Sequence, residues 1–150
     1  MARLLEAVRA LRNDPIEFLI VGPMQIRIPE QVISGCRVRF IGHVARENVA
    51  EFYSEADLFL LPTLSDGFAL TQLEAVAQRL PLVASAHCGE IVRPGENGLL
   101  LENPTPEAIE GALRFCLEHP DRLTEYSRNA ALADDFSVRR LGERLLRMVK

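Results

Sequence analysis

The chain has 150 residues, a net charge of −4 and a charged fraction of 25%, enough for one domain with a sizeable core. The acidic balance argues against nucleic acid or an anionic membrane surface as the main partner, and no apolar run is long enough to span a membrane. The three cysteines are widely spaced and form no C-x-x-C motif, which predicts a reducing, cytoplasmic location without disulfides or structural zinc.

The hydrophobic pattern predicts short strands that alternate with helices. In chain order, we predict a helix over 2–13, strands over 17–21 and 37–41, a helix over 45–55, a strand over 57–61, a helix over 68–78, strands over 81–84 and 98–101, and helices over 105–117, 120–132 and 137–149. Residues 24–35 give no clear pattern, and Pro29 excludes a long helix there. Ser137 is a suitable N-cap for the last helix.

The predicted strands are continuously apolar, as in 17–21 (EFLIV) and 57–61 (DLFLL), and none alternates polar with apolar residues. This is typical of a parallel sheet covered by helices on both faces. We therefore predict a single α/β domain over 1–150, with a Rossmann-like, doubly wound parallel sheet. Ligands of such sheets bind at the carboxyl ends of the strands, where the loops 22–23, 42–43, 62–67 and 85–90 are expected to converge.

Two carboxylates stand eight positions apart after the third strand, Asp66 in a glycine-containing loop and Glu74 inside the next helix. A helix that begins just after a strand and a glycine turn favours an anionic ligand, because its first N–H groups lack partners within the helix. The carboxylates cannot bind that anion themselves. We therefore expect them to accept hydrogen bonds from hydroxyls, such as the two vicinal hydroxyls of a ribose.

Simpler roles exist for both carboxylates. Asp66 can cap the helix, and Glu74 can be a surface residue or the partner of an arginine; from spacing alone these roles are favoured. On a helical wheel, Glu74 lies at the flank of an apolar face formed by Ala69, Leu70, Leu73, Val76 and Ala77. The position of both residues at the carboxyl end of a central strand favours a binding role.

The other strand ends offer further candidates. Gly22 either admits a ligand close to the backbone or only turns the chain. In the loop after the fourth strand, Glu90 can reach a ligand hydroxyl and Gly89 can offer its N–H. His87 has no second ligand at metal-binding spacing, and Cys88 has no adjacent base, so we predict neither a metal site nor a cysteine nucleophile.

The segments ADLFLLPTLSDGFALTQLEAVAQRLPLVAS and GEIVRPGENGLLL together form a recognisable pattern. They resemble the C-terminal domain of GT-B fold glycosyltransferases of group 1 (family 4-like), whose usual form is E-G-F-G-x-x-x-L-E-A-x-A-x-G-x-P-V-V-A followed by G-x-N-G-L-L-V. The segments FLIVGP and VRFIGHV and the helices after residue 105 also fit, so the resemblance covers essentially the whole chain.

The resemblance implies a role for each matched residue. Asp66 would bind hydroxyls of the donor sugar, Glu74 would bind the ribose of the nucleotide, and the backbone from Phe68 to Thr71 would hold the diphosphate. Transfer would retain the anomeric configuration, with no bound metal and no cofactor beyond the nucleotide-sugar substrate. The predicted donor-binding residues besides the two carboxylates are Gly22, Gly42, Val44, Gly67, Phe68, Ala69, Leu70, Thr71, Gly89 and Glu90.

The chain also departs from the family pattern. Asp66 replaces a glutamate, and Ala69 replaces a glycine where the backbone approaches the phosphates. The family begins this domain with a central strand and an Arg/Lys pair, whereas this chain begins at the helix that follows. We therefore expect a fragment that lacks the N-terminal acceptor domain, needs that domain or a second chain as partner, and does not catalyse transfer alone.

Two other interpretations are open. A non-catalytic module of the same fold that binds a nucleotide or a protein partner is favoured slightly by the changes at Asp66 and Ala69. A dehydrogenase domain that binds NAD is weakly supported, because the G-x-G-x-x-G pattern is absent from the sequence.

Overall fold

Strands and helices alternate along the chain in the computed structural model, which describes residues 1–24, 26–132, 137, 139–140, 143 and 146–147. The strands are β1 (Phe18–Val21), β2 (Val38–Gly42), β3 (Phe59–Leu61), β4 (Leu82–Ser85) and β5 (Gly98–Leu101). The helices are α1 (Ala2–Ala10), α2 (Glu30–Ile33), α3 (Val49–Glu55), α4 (Leu70–Ala77), α5 (Pro106–Glu118) and α6 (Pro120–Asn129), and a 3₁₀ turn over Arg46–Asn48 precedes α3.

All the predicted strands are present, and all observed strand pairs are parallel, as predicted. The strands form two sheets instead of one: β1 pairs with β2, and β3, β4 and β5 form a second sheet with β4 in the centre. Within the described part of the chain, no strand pairing joins the two sheets. β4 is therefore buried along its whole length, whereas all of β3 and most of β1 are half-buried.

Helices cover both faces of the second sheet, as a doubly wound fold requires. On one face, α1 and α5 pack against Val83 and Leu101, and the apolar cluster there extends to Phe18 of β1 and Leu60 of β3. On the other face, α4 packs against Leu82 and Ala84 of β4. That cluster comprises Ala69, Ala75, Val76, Leu80, Leu82, Ala84, Cys88, Ile91 and Val92.

Several predicted boundaries need correction. α2 occupies part of the segment without a clear pattern and begins directly after Pro29. α4 begins at Leu70, two residues later than predicted. The helix predicted over 137–149 lies largely outside the described residues. Those that are described at 139, 140, 143, 146 and 147 are helical. The predicted N-cap is confirmed, because Ser137 Oγ accepts a hydrogen bond from Arg140 N at 3.2 Å.

Candidate functional site

The loops that follow β3 and β4 are joined at the carboxyl end of the second sheet. Ser85, at the end of β4, donates a hydrogen bond from its Oγ to Thr63 O at 2.6 Å. The backbone N–H of Asp66 donates to His87 O at 2.9 Å. Because adjacent parallel strands end at the same edge, these bonds fix the two loops against each other. The predicted convergence of these two loops is confirmed.

A buried glutamine anchors α4 to the second of these loops. Gln72 is fully buried and donates from Nε2 to Cys88 O at 2.7 Å. Ala69 N also donates to Cys88 O, at 3.4 Å. Cys88 is itself buried, and burial raises the pKa of its thiol, which disfavours the thiolate form.

The first turn of α4 has no side-chain cap. Ala69 occupies the N-cap position, with extended backbone (φ −76°, ψ 100°), and offers no side-chain acceptor. Asp66 lies three residues before the N-cap and does not cap the helix in the structure. The N–H groups of Leu70 and Thr71 have no carbonyl one turn earlier in the helix to bond to, which makes this end of α4 suited to an anion.

The buried face of α4 differs from the predicted apolar face. Leu70 is 64% exposed and Ala77 is also exposed, although both were predicted to be buried. The buried side chains of the helix are Gln72, Ala75 and Val76. Gln72, and not Leu70, lies on the inner face, because the backbone carbonyl of Cys88 in the loop after β4 accepts a hydrogen bond from its amide.

Glu74 lies on the exposed side of α4 and accepts a hydrogen bond from a tyrosine. Tyr53 Oη donates to Glu74 Oε2 at 2.9 Å and lies 3.4 Å from Thr71 O. None of the ion pairs formed between described residues includes Glu74, so the structure gives no support for an arginine partner. The hydrogen-bond partner of this carboxylate is thus a phenol and not a charged side chain.

Asp66, Gly67 and Phe68 are all exposed in the loop before α4. The ring of Phe68 lies against Gly89 of the facing loop, where an added Cβ would lie 3.0 Å from Phe68 Cδ2. Gly89 also has a φ of +89°, which disfavours any other residue. Glu90 follows and is exposed. The structure thus brings the predicted residues of the β3 and β4 loops to one edge.

The remaining predicted residues lie at the carboxyl end of the first sheet. Gly22 N donates to Gly42 O at 2.8 Å, which closes the end of the β1–β2 pair. Val44 follows in the same loop and is half-buried. The predicted site residues are therefore divided between the ends of two separate sheets.

A cavity of about 300 Å³ lies away from these loops. Its lining includes Asp57, Arg79 and Pro81, which precede β3 and β4 and so mark the amino ends of those strands. Parallel sheets bind ligands at their carboxyl ends, so this cavity is not the candidate site.

Among the described residues, no cluster of three or more His, Cys, Asp or Glu side chains could hold a metal ion. Over the same residues, no helix combines the length and the apolar character that crossing a membrane requires.

Two features of the site were not predicted from the sequence: the burial of Gln72 and the hydrogen bond from Tyr53 to Glu74. No sequence signal connects Tyr53 with a residue 21 positions later. The burial of Gln72 has no signal either, since a glutamine within an amphipathic helix is usually exposed.

A family model and the sequences of related proteins both indicate that this chain is similar to glycosyltransferases. The family model described as glycosyl transferases group 1 matches residues 1–119. A D-inositol 3-phosphate glycosyltransferase from Rhodococcus erythropolis is 30% identical over 145 residues, which cover 88% of this chain and 33% of that protein. The corresponding protein from Geodermatophilus obscurus is 33% identical over 145 residues, covering 87% of this chain and 31% of its own. The chain thus spans about a third of these relatives.

Solved structures show the same fold. HepE from Anabaena, crystallised in complex with UDP, superposes with a TM-score of 0.78 at 21% identity, over 99% of this chain and 44% of that one. Sucrose-phosphate synthase from Thermosynechococcus elongatus gives a TM-score of 0.77 at 24% identity, over 98% and 42% of the two chains. The predicted Rossmann-like α/β fold is confirmed.

Proposed function

Because this chain belongs to the glycosyl transferases of group 1, we propose that it binds a nucleotide-diphosphate sugar and supplies the donor site of a sugar transfer. The observation that carries the proposal is the uncapped start of α4 at the carboxyl end of β3, with Asp66 before it and Glu74 on its exposed side. The fold neighbours support it, because HepE was solved with UDP and also with UDP-glucose.

In this proposal the two kinds of group at α4 bind different parts of one ligand. The N–H groups of Leu70 and Thr71 hold the diphosphate, aided by the helix dipole. The carboxylate of Glu74 accepts hydrogen bonds from the ribose hydroxyls, and that of Asp66 accepts them from hydroxyls of the sugar. Gly89 and Glu90 lie at the same edge. The residues at the end of the first sheet, Gly22, Gly42 and Val44, lie near the base and the phosphates of the nucleotide.

We further propose that transfer retains the anomeric configuration and uses no bound metal. When the bond to the sugar breaks, negative charge develops on the departing diphosphate. The α4 N–H groups lie in fixed positions and stabilise that charge without reorganisation of solvent. Leu70, the first residue of the helix, is exposed, whereas the preceding Ala69 is only 5% exposed. The backbone that would contact the phosphates is therefore supported by the packing of Ala69 in the core.

The chain alone is proposed to bind the donor but not to complete the transfer. The curated relatives are about three times as long, and the acceptor would bind outside the region that this chain matches. The half-buried strands β1 and β3, which belong to two unpaired sheets, support a further segment or a second chain as partner. The free cysteines support a reducing, cytoplasmic location.

Calorimetric titration of the chain with UDP, GDP and ADP and their glucose or mannose conjugates tests the proposal. At least one nucleotide should bind, and Glu74→Ala should weaken it about 100-fold, because hydrogen bonds from two hydroxyls to a charged group are lost together. Glu118→Ala, an exposed glutamate near the end of α5, is the matched control and should bind as the unchanged chain does.

The alternative function, a non-catalytic module, is favoured by one observation. Ala69 places a methyl group at the buried N-cap of α4, where the family pattern has a glycine. Absence of binding to every nucleotide in the titration would support this alternative and contradict the donor-site proposal. Measurable turnover by the chain alone would contradict the proposed need for a partner.

A further inference from the structure

Tyr53 connects two helices that meet beside the candidate site. It lies in the last turn of α3, and its ring packs against Phe59, the first residue of β3, with ring centroids 6.0 Å apart and planes at 50°. The ring also packs on the apolar cluster beneath α4. The strand therefore fixes the ring, and the hydroxyl extends to the exposed side of α4, where it meets Glu74.

The hydroxyl has one proton and two acceptors within reach. Glu74 Oε2 lies at 2.9 Å and Thr71 O at 3.4 Å. The shorter bond to a charged acceptor is the stronger one, so the hydroxyl donates its hydrogen bond to Glu74. The pKa of Tyr53 is raised, mainly by burial and further by the hydrogen bond and charge of Glu74, so the phenol is protonated at neutral pH and can donate.

This contact leaves the carboxylate with most of its accepting capacity. An ionised carboxylate has about four lone-pair positions, and the phenol uses one of those on Oε2. Over the part of the chain that the structure describes, no further hydrogen bond engages Oε1 or the second position on Oε2, so both can accept from a pair of hydroxyls. An exposed glutamate without this bond would sample several rotamers, and a ligand would have to order it on binding.

We propose that Tyr53 is a positioning residue that holds the carboxylate of Glu74 in the orientation in which it accepts both hydroxyls of a ribose. The inference rests on the donor site proposed above and adds to it the residue that presents Glu74. Tyr53 itself does not touch the nucleotide.

The test compares Tyr53→Phe with the unchanged chain, using UDP, GDP or ADP, whichever binds most tightly, and the 2′,3′-dideoxy form of the same nucleotide. Phenylalanine keeps the ring packing on Phe59 and removes only the hydroxyl. Tyr126→Phe, at the other tyrosine of the chain, is the matched control. Thermal unfolding of each variant reports whether the fold is kept.

Tyr53→Phe should weaken the ribonucleotide about five- to tenfold, less than the loss of a direct hydrogen bond to a charged group, because the variant removes only the contact that orients Glu74. It should leave the affinity for the dideoxy form unchanged, because that ligand lacks the two ribose hydroxyls from which Glu74 would accept hydrogen bonds. A general structural role would weaken both ligands equally and would overturn the inference.

The two proposals fail in different ways. If Glu74→Ala weakens binding and Tyr53→Phe does not, the donor site stands and the positioning role is wrong. If the unchanged chain binds none of the three nucleotides, the donor site and the positioning role are both wrong. Equal effects of Tyr53→Phe and Tyr126→Phe also contradict the positioning role.

Discussion

The helices α4 and α5 both follow a strand of the second sheet, yet they begin in opposite ways. At the start of α5, Thr105 Oγ1 accepts a hydrogen bond from Ala108 N at 3.2 Å. Pro106 occupies the first turn, where the N–H that proline lacks would have no partner within the helix. Glu107 adds a carboxylate to the first turn. Hydrogen bonds from its own N–H and from Thr105 lower its pKa. The start of α5 is thus satisfied within the chain.

The start of α4 has none of these features. Its N-cap is Ala69, its first turn contains no acidic residue, and its first side chain, Leu70, is exposed. Alanine at an N-cap costs about 1 kcal/mol relative to Ser, Thr or Asp. The start of α5 therefore stabilises the domain, whereas the start of α4 leaves backbone donors without a side-chain acceptor, as the proposed donor site requires.

The largest effect on stability is expected at the strand that leads into α5. An added Cβ on Gly98 would overlap the backbone carbonyl of Leu82 in β4. Gly98→Ala should therefore destabilise the domain by about 3 kcal/mol or more in chemical unfolding, because two paired backbones have to separate. Gly111→Ala is the control, since an added Cβ there has no atom within 4 Å. It should stabilise α5 by about 0.5–1 kcal/mol. Similar effects of the two changes would contradict the packing described for β4 and β5.

The next largest effect is expected at the anchor of α4. Gln72→Ala removes the donor to Cys88 O and leaves an empty volume in the core, so it should cost about 2–4 kcal/mol in the free energy of unfolding. Because the loops are loosened as well, nucleotide binding should weaken in the same variant. Gln78→Ala, at the exposed end of the same helix, should change stability by less than about 0.5 kcal/mol. A loss of stability without weaker nucleotide binding would contradict the expected contribution of Gln72 to the binding site.

A reciprocal exchange of caps tests the comparison itself. Thr105→Ala should destabilise the domain by about 1 kcal/mol and leave nucleotide affinity unchanged, because α5 loses its cap. Ala69→Ser should stabilise the domain by about 0.5–1 kcal/mol, because the extended backbone at that position suits a capping serine. It should also weaken nucleotide binding about three- to tenfold, because the hydroxyl then occupies a donor of the first turn. Ala69→Ser with unchanged affinity would contradict the role given to α4.

The smallest effect concerns pH. The pKa of Glu107 is lowered in the folded chain, so the group contributes stability above its unfolded pKa, and this contribution is lost as the pH falls through the folded value. The unchanged chain should therefore have a slightly higher Tm than Glu107→Gln at pH 7. The two Tm values should converge in acid. A difference in Tm between the two proteins that persists or grows as the pH falls would contradict the stabilising role of the Glu107 carboxylate.

The elements of the fold follow from local sequence, and most were predicted correctly. Continuous apolar runs such as 57–61 identify buried parallel strands, and Ser137 was recognised as a cap from residue type and position alone. The division into two sheets was not predicted. Strand pairing depends on backbone edges far apart in the chain, and apolar runs do not reveal which edges meet.

The site was predicted less completely, for a related reason. The wheel assigned Leu70 and Ala77 to the core because both are apolar, but burial on α4 depends on what packs against it from the loop after β4. The carbonyl of Cys88 accepts from an amide, so Gln72 is the buried residue. Likewise, the hydroxyl of Tyr53 reaches Glu74 only because β3 supports its ring, which no spacing rule contains.

The most direct measurement is an NMR titration of the isotope-labelled chain with the nucleoside diphosphate that binds most tightly. We expect the backbone amide signals of Leu70 and Thr71, in the first turn of α4, to shift most. Those of Glu107 and Ala108, in the capped first turn of α5, should stay in place. Saturable shifts centred elsewhere, or no shifts at α4 at any nucleotide concentration, would contradict the claim that this helix start holds the diphosphate.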